Sequence, residues 1–318
     1  MVSPVFAPLI GQPQAIELLS RAISQDRIAP AYLFAGAEGV GRRLAAYCFA
    51  ELLLSYQSRV TVKAGLAERL RQGNHPDLLW VEPTYLHQGK RLSATEAVEQ
   101  GLKRKAPPII RLEQIREITQ FLGRPSLEAA RAVVVLEQAE TMAEGAANAL
   151  LKTLEEPGRA TLILIAPGVE SLLPTLVSRC QRIPFRRLSH EDMAQVLRQS
   201  GHGEILERPE VLALAQGSPG EAIAHWQQLQ SIPPELLATV TQLPRTVRQA
   251  LELARQISQS LDTEAQLWLL DYLQYYWWNS LHQPTYLKRL ETARQQLLSY
   301  VQARLVWEVA LMEFVSIY

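Results

Sequence analysis

Cysteine is scarce in this sequence. Only Cys48 and Cys180 occur among 318 residues, far apart and in no metal-type spacing. That excludes a disulfide framework and points to a reducing, cytoplasmic setting. The six histidines form no His-Glu-x-x-His or similar cluster, so no metal site is expected. No run of about 18 apolar residues occurs, so no membrane-spanning helix is expected. The opening segment MVSPVFAPLI has no basic region and holds two prolines, unlike a signal peptide. Neither charge is in excess, with 32 Lys+Arg against 32 Asp+Glu. A strongly basic nucleic-acid coat is therefore absent, although a local basic strip remains open. No Gly-x-Ser-x-Gly elbow exists and no histidine is placed to activate Cys180, which sets aside a Ser or Cys hydrolase. Cys180 reads instead as a small buried residue.

What is present describes a globular chain of two or three domains, each of about 100–150 residues. Three short apolar runs read as strands: Ala31 to Ala35, Arg131 to Leu136 and Thr161 to Ala166. None alternates strictly, as expected for strands covered on both faces of a parallel sheet. Helical patterns lie between them. Pro13 to Ser24 reads as one helix, and Ala147, Leu150, Leu151 and Leu154 share the apolar face of another that Pro157 ends. The expected first domain is a doubly wound α/β layer structure. Within it, residues 58–73 read as a polar helix. Tyr85 to Pro108 reads as an irregular insert whose Lys103, Arg104 and Lys105 are solvated.

After Phe185 the strand signals stop. Leu188 to Gln230 reads as short helices interrupted at Gly217-Ser218-Pro219-Gly220, and Ile232-Pro233-Pro234 reads as a linker. The remainder is helical. Leu270, Leu273 and Trp277 share one face, and Leu290, Leu297, Val301, Leu305 and Val309 share another. The cluster Tyr275-Tyr276-Trp277-Trp278 is either a base-stacking platform or bundle core and interface, and its helical period favours the second.

The chemistry concentrates in a glycine loop. Gly36-Ala37-Glu38-Gly39-Val40-Gly41 follows a strand and opens a helix. In such a turn Gly36, Gly39 and Gly41 let backbone N–H groups close around phosphate oxygens. The next two positions depart from Gly-Lys-[Ser/Thr]. Arg42 stands where a lysine reaches the terminal phosphates, and Arg43 where a hydroxyl ligates Mg²⁺. The first exchange is not conservative, and the second removes a metal ligand. At the end of the second strand an ATPase needs an Asp for Mg²⁺ and a Glu to polarise water. Here the pair is Glu137-Gln138, and Gln138 cannot take a proton. Two parts of one catalytic site are thus altered together. A tight turn without ligand and a static nucleotide cradle both remain open.

Several segments together resemble the AAA+ clamp-loader family of bacterial DNA polymerase III. They are Leu9-Ile10-Gly11-Gln12, His75-Pro76-Asp77 before a strand, Asn148 to Pro157 and Ser178-Arg179-Cys180, with Gly217-Ser218-Pro219 where the lid begins. The resemblance is dense over residues 9–222, and the C-terminal third is similar only as a helical collar. It implies a P-loop domain over 1–186, a helical lid over 187–231 and a helical collar over 232–318.

Against the motor pattern of this family, the lid-domain sensor arginine falls at Gly220 and the strand-end sensor near Ala166-Pro167. These departures, with Arg42, Arg43 and Gln138, resemble its non-motor delta-prime branch. The usual four-cysteine module is missing, so no zinc is expected, nor any ATP hydrolysis by this chain; weak or static ATP binding is left open. Arg179 matches the family's arginine finger, which acts on a neighbour's ATP. The competing reading of Arg179 is pairing with a local carboxylate. Implied partners are gamma/tau motor subunits, a delta subunit, the sliding clamp and, indirectly, primer–template DNA. A gamma/tau-like motor, or another AAA+ DNA-processing accessory protein, is the alternative.

Overall fold

The computed structural model describes residues 3–56, 65–99, 107–156 and 158–315. Lys103, Arg104, Lys105, Pro157 and the first part of the expected 58–73 helix lie outside them. The chain divides into two compact units, Met1–Asp192 and Met193–Tyr318.

The first unit is built on a five-stranded sheet. Helix α1 (Pro13–Ser24) precedes strand β1 (Ala31–Ala35), followed by α2 (Arg42–Ser55), α3 (Leu66–Arg71) and β2 (Leu78–Val81). A hairpin of β3 (Tyr85–His87) and β4 (Lys90–Leu92) leads to α4 (Ala94–Glu99) and α5 (Leu112–Leu122). Then come β5 (Ala132–Leu136), α6 (Glu144–Glu155), β6 (Ala160–Ala166), α7 (Pro174–Val177) and β7 (Gln181–Pro184). The sheet order is β2-β5-β6-β1-β7, with every neighbouring pair parallel.

The strand sequences explain the layering. Successive side chains of β1 point to opposite faces. Leu33 joins the core formed by Val134, Leu136, Leu162 and Leu164 with Leu150 and Leu154 of α6 and Ile115 and Ile118 of α5. Tyr32 and Phe34 face the other way, meeting Phe49 of α2 at 4.9 and 6.3 Å between ring centroids. Strands buried on both faces carry no alternation, which is why β5 reads AVVVL and β6 ATLILIA. Each buried leucine contributes about 1.5–3 kcal/mol.

The region 85–108 differs from the expected irregular insert. Its described part forms the β3–β4 hairpin and α4, joined to the domain by the Thr84–Ile109 bridge. Gln88 and Gly89 form the two-residue turn with φ of 48° and 78°. That is the left-handed pair which matches strand twist in a tight hairpin.

The second unit is helical throughout its described residues. Helix α8 (His190–Gln199) enters it, followed by α9 (Pro209–Ala215), α10 (Pro219–Ser231), α11 (Pro234–Val240) and α12 (Val247–Ser260). Helices α13 (Thr263–Leu281), α14 (Pro284–Leu298) and α15 (Ala303–Val315) complete it. Ser218, Thr246 and Asp262 cap α10, α12 and α13 by accepting a backbone N–H in the first turn. Leu270, Leu273 and Trp277 are buried together, and Trp277 packs edge-on against Phe314 at 5.1 Å. Buried Gln266 donates to Leu261 O and accepts from Trp307 Nε1 at 2.9 Å, so a polar group in this core is satisfied.

The second apolar face expected here is divided. Leu290 and Leu297 are buried, whereas Val301, Leu305 and Val309 are exposed at 41, 50 and 40%. Tyr300 adopts φ 58° just before α15. The chain therefore changes direction between α14 and α15, and one helical period does not run through both.

Candidate functional site

The glycine loop lies at the C-terminal end of β1, between β6 and β7 in the sheet. In open α/β sheets that end of the strands is where ligands are held. Gly36 is required by contact, because a Cβ there would stand 2.4 Å from Phe185 O. Gly39 and Gly41 have φ of 71° and 100°, and Gly41 leads into α2 with no side-chain cap. Buried Gln12 fixes the loop from behind. Its amide nitrogen donates to Val40 O at 3.1 Å and Arg186 O at 2.7 Å, and its oxygen accepts from Arg186 N. The loop is thereby tied to the end of β7.

Arg43, in the first turn of α2, meets Glu137 just beyond β5 at 3.4 Å. Glu137 also accepts from Trp80 Nε1 at 2.9 Å. Trp80 stacks on Tyr47 at 4.1 Å, and the Arg43 guanidinium lies 5.6 and 6.0 Å from their ring centroids. Burial opposes the charge on Arg43, but Glu137, Tyr47 and Glu82 outweigh it and raise its pKa above the usual arginine value. A cation, a carboxylate and two aromatic rings thus form one local cluster. It occupies the two positions, Arg43 and Glu137, that in a hydrolysing P-loop protein would both ligate Mg²⁺.

Arg42 points elsewhere. Its Nη1 is buried without a hydrogen-bond partner among the described residues. Burial lowers its pKa, against the opposing pull of Glu140, Glu38 and Glu137. Glu140 Oε2 is likewise buried and unpartnered, and burial raises that carboxyl's pKa. Gln138 sits at φ 49°, opening the short turn Ala139–Thr141.

Arg179 lies on the same sheet's margin, after α7 and before β7. Its Nη1 donates to Thr175 O at 3.1 Å and its Nη2 to Glu155 Oε1 at 2.8 Å. The local-carboxylate pairing considered for it therefore exists in the chain alone. Neighbouring Cys180 packs against the core, and burial pushes its thiol up to about 11, as it does that of Cys48. Neither is a thiolate nucleophile at neutral pH. Among the described residues no group of His, Cys, Asp and Glu is arranged to hold a metal ion.

The other expected motifs take structural positions. Buried Asp77 accepts backbone N–H groups of Leu127, Glu128 and Ala129 at 2.7–2.8 Å. His75 Nδ1 accepts from Asp77 N, which leaves its proton on Nε2, 3.8 Å from Glu128. Arg69 binds Glu128 through two bonds of 2.9 Å. The Tyr275–Trp278 cluster is split, with Trp277 buried and Tyr276 and Trp278 exposed. Gly220 lies in the first turn of α10.

Sequence reasoning identified both loop arginines, Glu137 and Arg179, but missed Tyr47, Trp80 and Glu140 around the first three and Glu155 beside Arg179. The i, i+4 spacing of Arg43 and Tyr47 was available; the approach of Trp80 from another strand was not.

Residues 11–189 match the family model described as DNA polymerase III, delta subunit. Residues 191–314 match that of the cyanobacterial DNA polymerase III delta prime, C-terminal domain. DNA polymerase III subunit delta' of Bacillus subtilis (strain 168) is 32% identical over 180 residues, covering 56% of this chain and 48% of that protein. The subunit delta' of Pseudomonas aeruginosa is 36% identical over 199 residues, covering 60% and 54%. The matched part thus spans about half the length of these curated relatives. The subunit tau of Bacillus subtilis is 24% identical over 241 residues, 73% of this chain and 39% of tau. Among solved structures, a DNA polymerase III gamma subunit-related protein of Thermotoga maritima shares the fold. Its TM-score is 0.51 at 20% identity, covering 95% of this chain and 99% of that one.

Proposed function

Because this chain belongs to the delta-prime family of DNA polymerase III clamp-loader subunits, we propose that it is the stationary, non-hydrolysing member of a clamp-loader complex. In this role it keeps the AAA+ P-loop fold as a scaffold and supplies Arg179 to the ATP site of a neighbouring motor subunit.

The observation that carries the first half is the ion pair between Arg43 and Glu137. Mg²⁺-ATP does not fit here. The hydroxyl ligand is replaced by a guanidinium, which repels a cation, and Glu137 is committed to that guanidinium and to Trp80. Gln138 has no basic site for the attacking water's proton. The anionic half of a nucleotide fits better. The loop glycines are complete and Arg42 Nη1 has no hydrogen-bond partner among the described residues, so a static, metal-free phosphate contact through Gly36, Gly39, Gly41 and Arg42 is consistent with this reading. The observation against a gamma/tau-like motor is the same ion pair.

Arg179 supports the second half by position and type. It is the central residue of the Ser178-Arg179-Cys180 motif and is exposed, and a guanidinium offered in trans stabilises charge on a transferring phosphoryl group by about 10³–10⁵ in rate. The helices of 232–318 would form the collar that holds the complex together, with gamma/tau motors and a delta subunit as neighbours and the sliding clamp and primer–template DNA as what the complex acts on. Contact of this neutral chain with DNA would be secondary and through phosphates. Domain limits of 1–186, 187–231 and 232–318 accompany the proposal. Among the described residues no helix is long and apolar enough to cross a membrane.

The test is Arg179→Ala in a complex assembled with motor subunits, read as DNA- and clamp-stimulated ATP hydrolysis. The expected result is a loss of about 10³ in kcat. An unchanged rate overturns the finger role. A pull-down that recovers neither motor subunits nor clamp favours instead an AAA+ DNA-processing protein outside this complex.

A further inference from the structure

Glu155 occupies the last turn of α6. A carboxylate there faces the negative end of the helix dipole, a locally unfavourable place. It accepts a hydrogen bond from Arg179 Nη2 at 2.8 Å. On the other side, Arg179 Nη1 donates to Thr175 O at 3.1 Å, satisfying a carbonyl of the short helix α7. The arginine is thus held between the ends of two helices, by one carboxylate and one carbonyl.

A guanidinium has five N–H donors in a rigid plane. Two of its nitrogens are engaged here, and the remaining N–H groups have no partner among the described residues. An unrestrained arginine on a surface loses side-chain freedom when it is fixed against a ligand, and that loss weakens the contact. An arginine already fixed by a carboxylate, with donors to spare, does not lose it again. We infer that Glu155 is a positioning residue for Arg179: it holds the guanidinium in the orientation in which the remaining N–H groups meet the neighbour's phosphate. This rests on the finger reading above. Glu155 itself touches neither nucleotide nor metal, and it acts through Arg179.

The test is a double-mutant cycle in the assembled complex, read as steady-state ATP hydrolysis at varied ATP. Glu155→Ala is expected to lower kcat by about three- to tenfold with KM for ATP unchanged. Glu155→Gln, which keeps an acceptor of the same reach, is expected to stay within about twofold of the parent. In an Arg179→Ala background Glu155→Ala is expected to change nothing further. Both residues are partly exposed, and thermal melting of each variant checks that the fold is intact.

A parent-like or faster rate for Glu155→Ala overturns the inference, the faster rate showing that the pair restrains the finger instead. So does a fall that persists in the Arg179→Ala background, which would mean Glu155 acts by another route. An unchanged rate for Arg179→Ala alone sinks the finger reading, and the inference with it.

Discussion

At the scale of single residues, Asp77 shows how much structure one side chain can organise. Its carboxylate receives three consecutive backbone N–H groups from a loop about fifty positions away, and its own carbonyl accepts from Val133 N. Asp77→Ala is expected to cost about 3 kcal/mol in urea unfolding, since it strands several partly or wholly buried donors. A loss under about 1 kcal/mol would contradict the role given to it. Its neighbour His75 adds a pH dependence. Burial lowers the His75 pKa, and the pull of Glu128 does not restore it, with Arg69 opposing and Asp77 assisting the proton. The unfolded chain therefore takes the proton first. Stability from the neutral imidazole is present above the unfolded value of about 6.5 and is lost as pH falls through the lower folded value. Half-buried His225 has the same sign. Thermal unfolding is expected to weaken from pH 7 downward, and His75→Asn is expected to flatten part of that slope. Motif reading found His75-Pro76-Asp77 but not this role, because the amides that Asp77 binds carry no side-chain signal.

At the scale of elements, legibility followed burial. β1, β5 and β6 are central strands buried on both faces, and their apolar runs were read to within one residue, as was α1. The edge strand β7, QRIP, exposes its first two residues and so carries no such run. The β3–β4 hairpin has three-residue strands, too short to show alternation, and turns on Gln88-Gly89 in place of the more telling Asn-Gly. In α15 the period was read but not the side it faces. Val306, Trp307, Ala310 and Phe314 fill the core, while Leu305 and Val309 lie outside. If that stripe belongs to the proposed collar contact, Leu305→Glu with Val309→Glu leaves the melting of the isolated chain within about 0.5 kcal/mol of the parent and weakens assembly measured by size-exclusion chromatography. A large loss of stability in the isolated chain would show instead that the stripe packs within this protein.

At the scale of the whole molecule, the alterations in the glycine loop and at the end of β5 form one device. Sequence alone showed Arg43 and Gln138 as two losses. The geometry joins Arg43, Glu137, Trp80 and Tyr47 into one cluster, and under the proposed function its guanidinium takes the place of a divalent cation. The loop's shape is kept by Gly36 against Phe185 and by Gln12 between Val40 and Arg186. A scaffold needs that shape whether or not nucleotide binds. The most direct measurement is therefore binding and turnover of a fluorescent ATP analogue by the purified chain, with Mg²⁺ and again with EDTA. The account predicts no turnover in either condition and an affinity, however weak, that Mg²⁺ does not raise. Turnover by the isolated chain, or binding that depends on Mg²⁺, would contradict it.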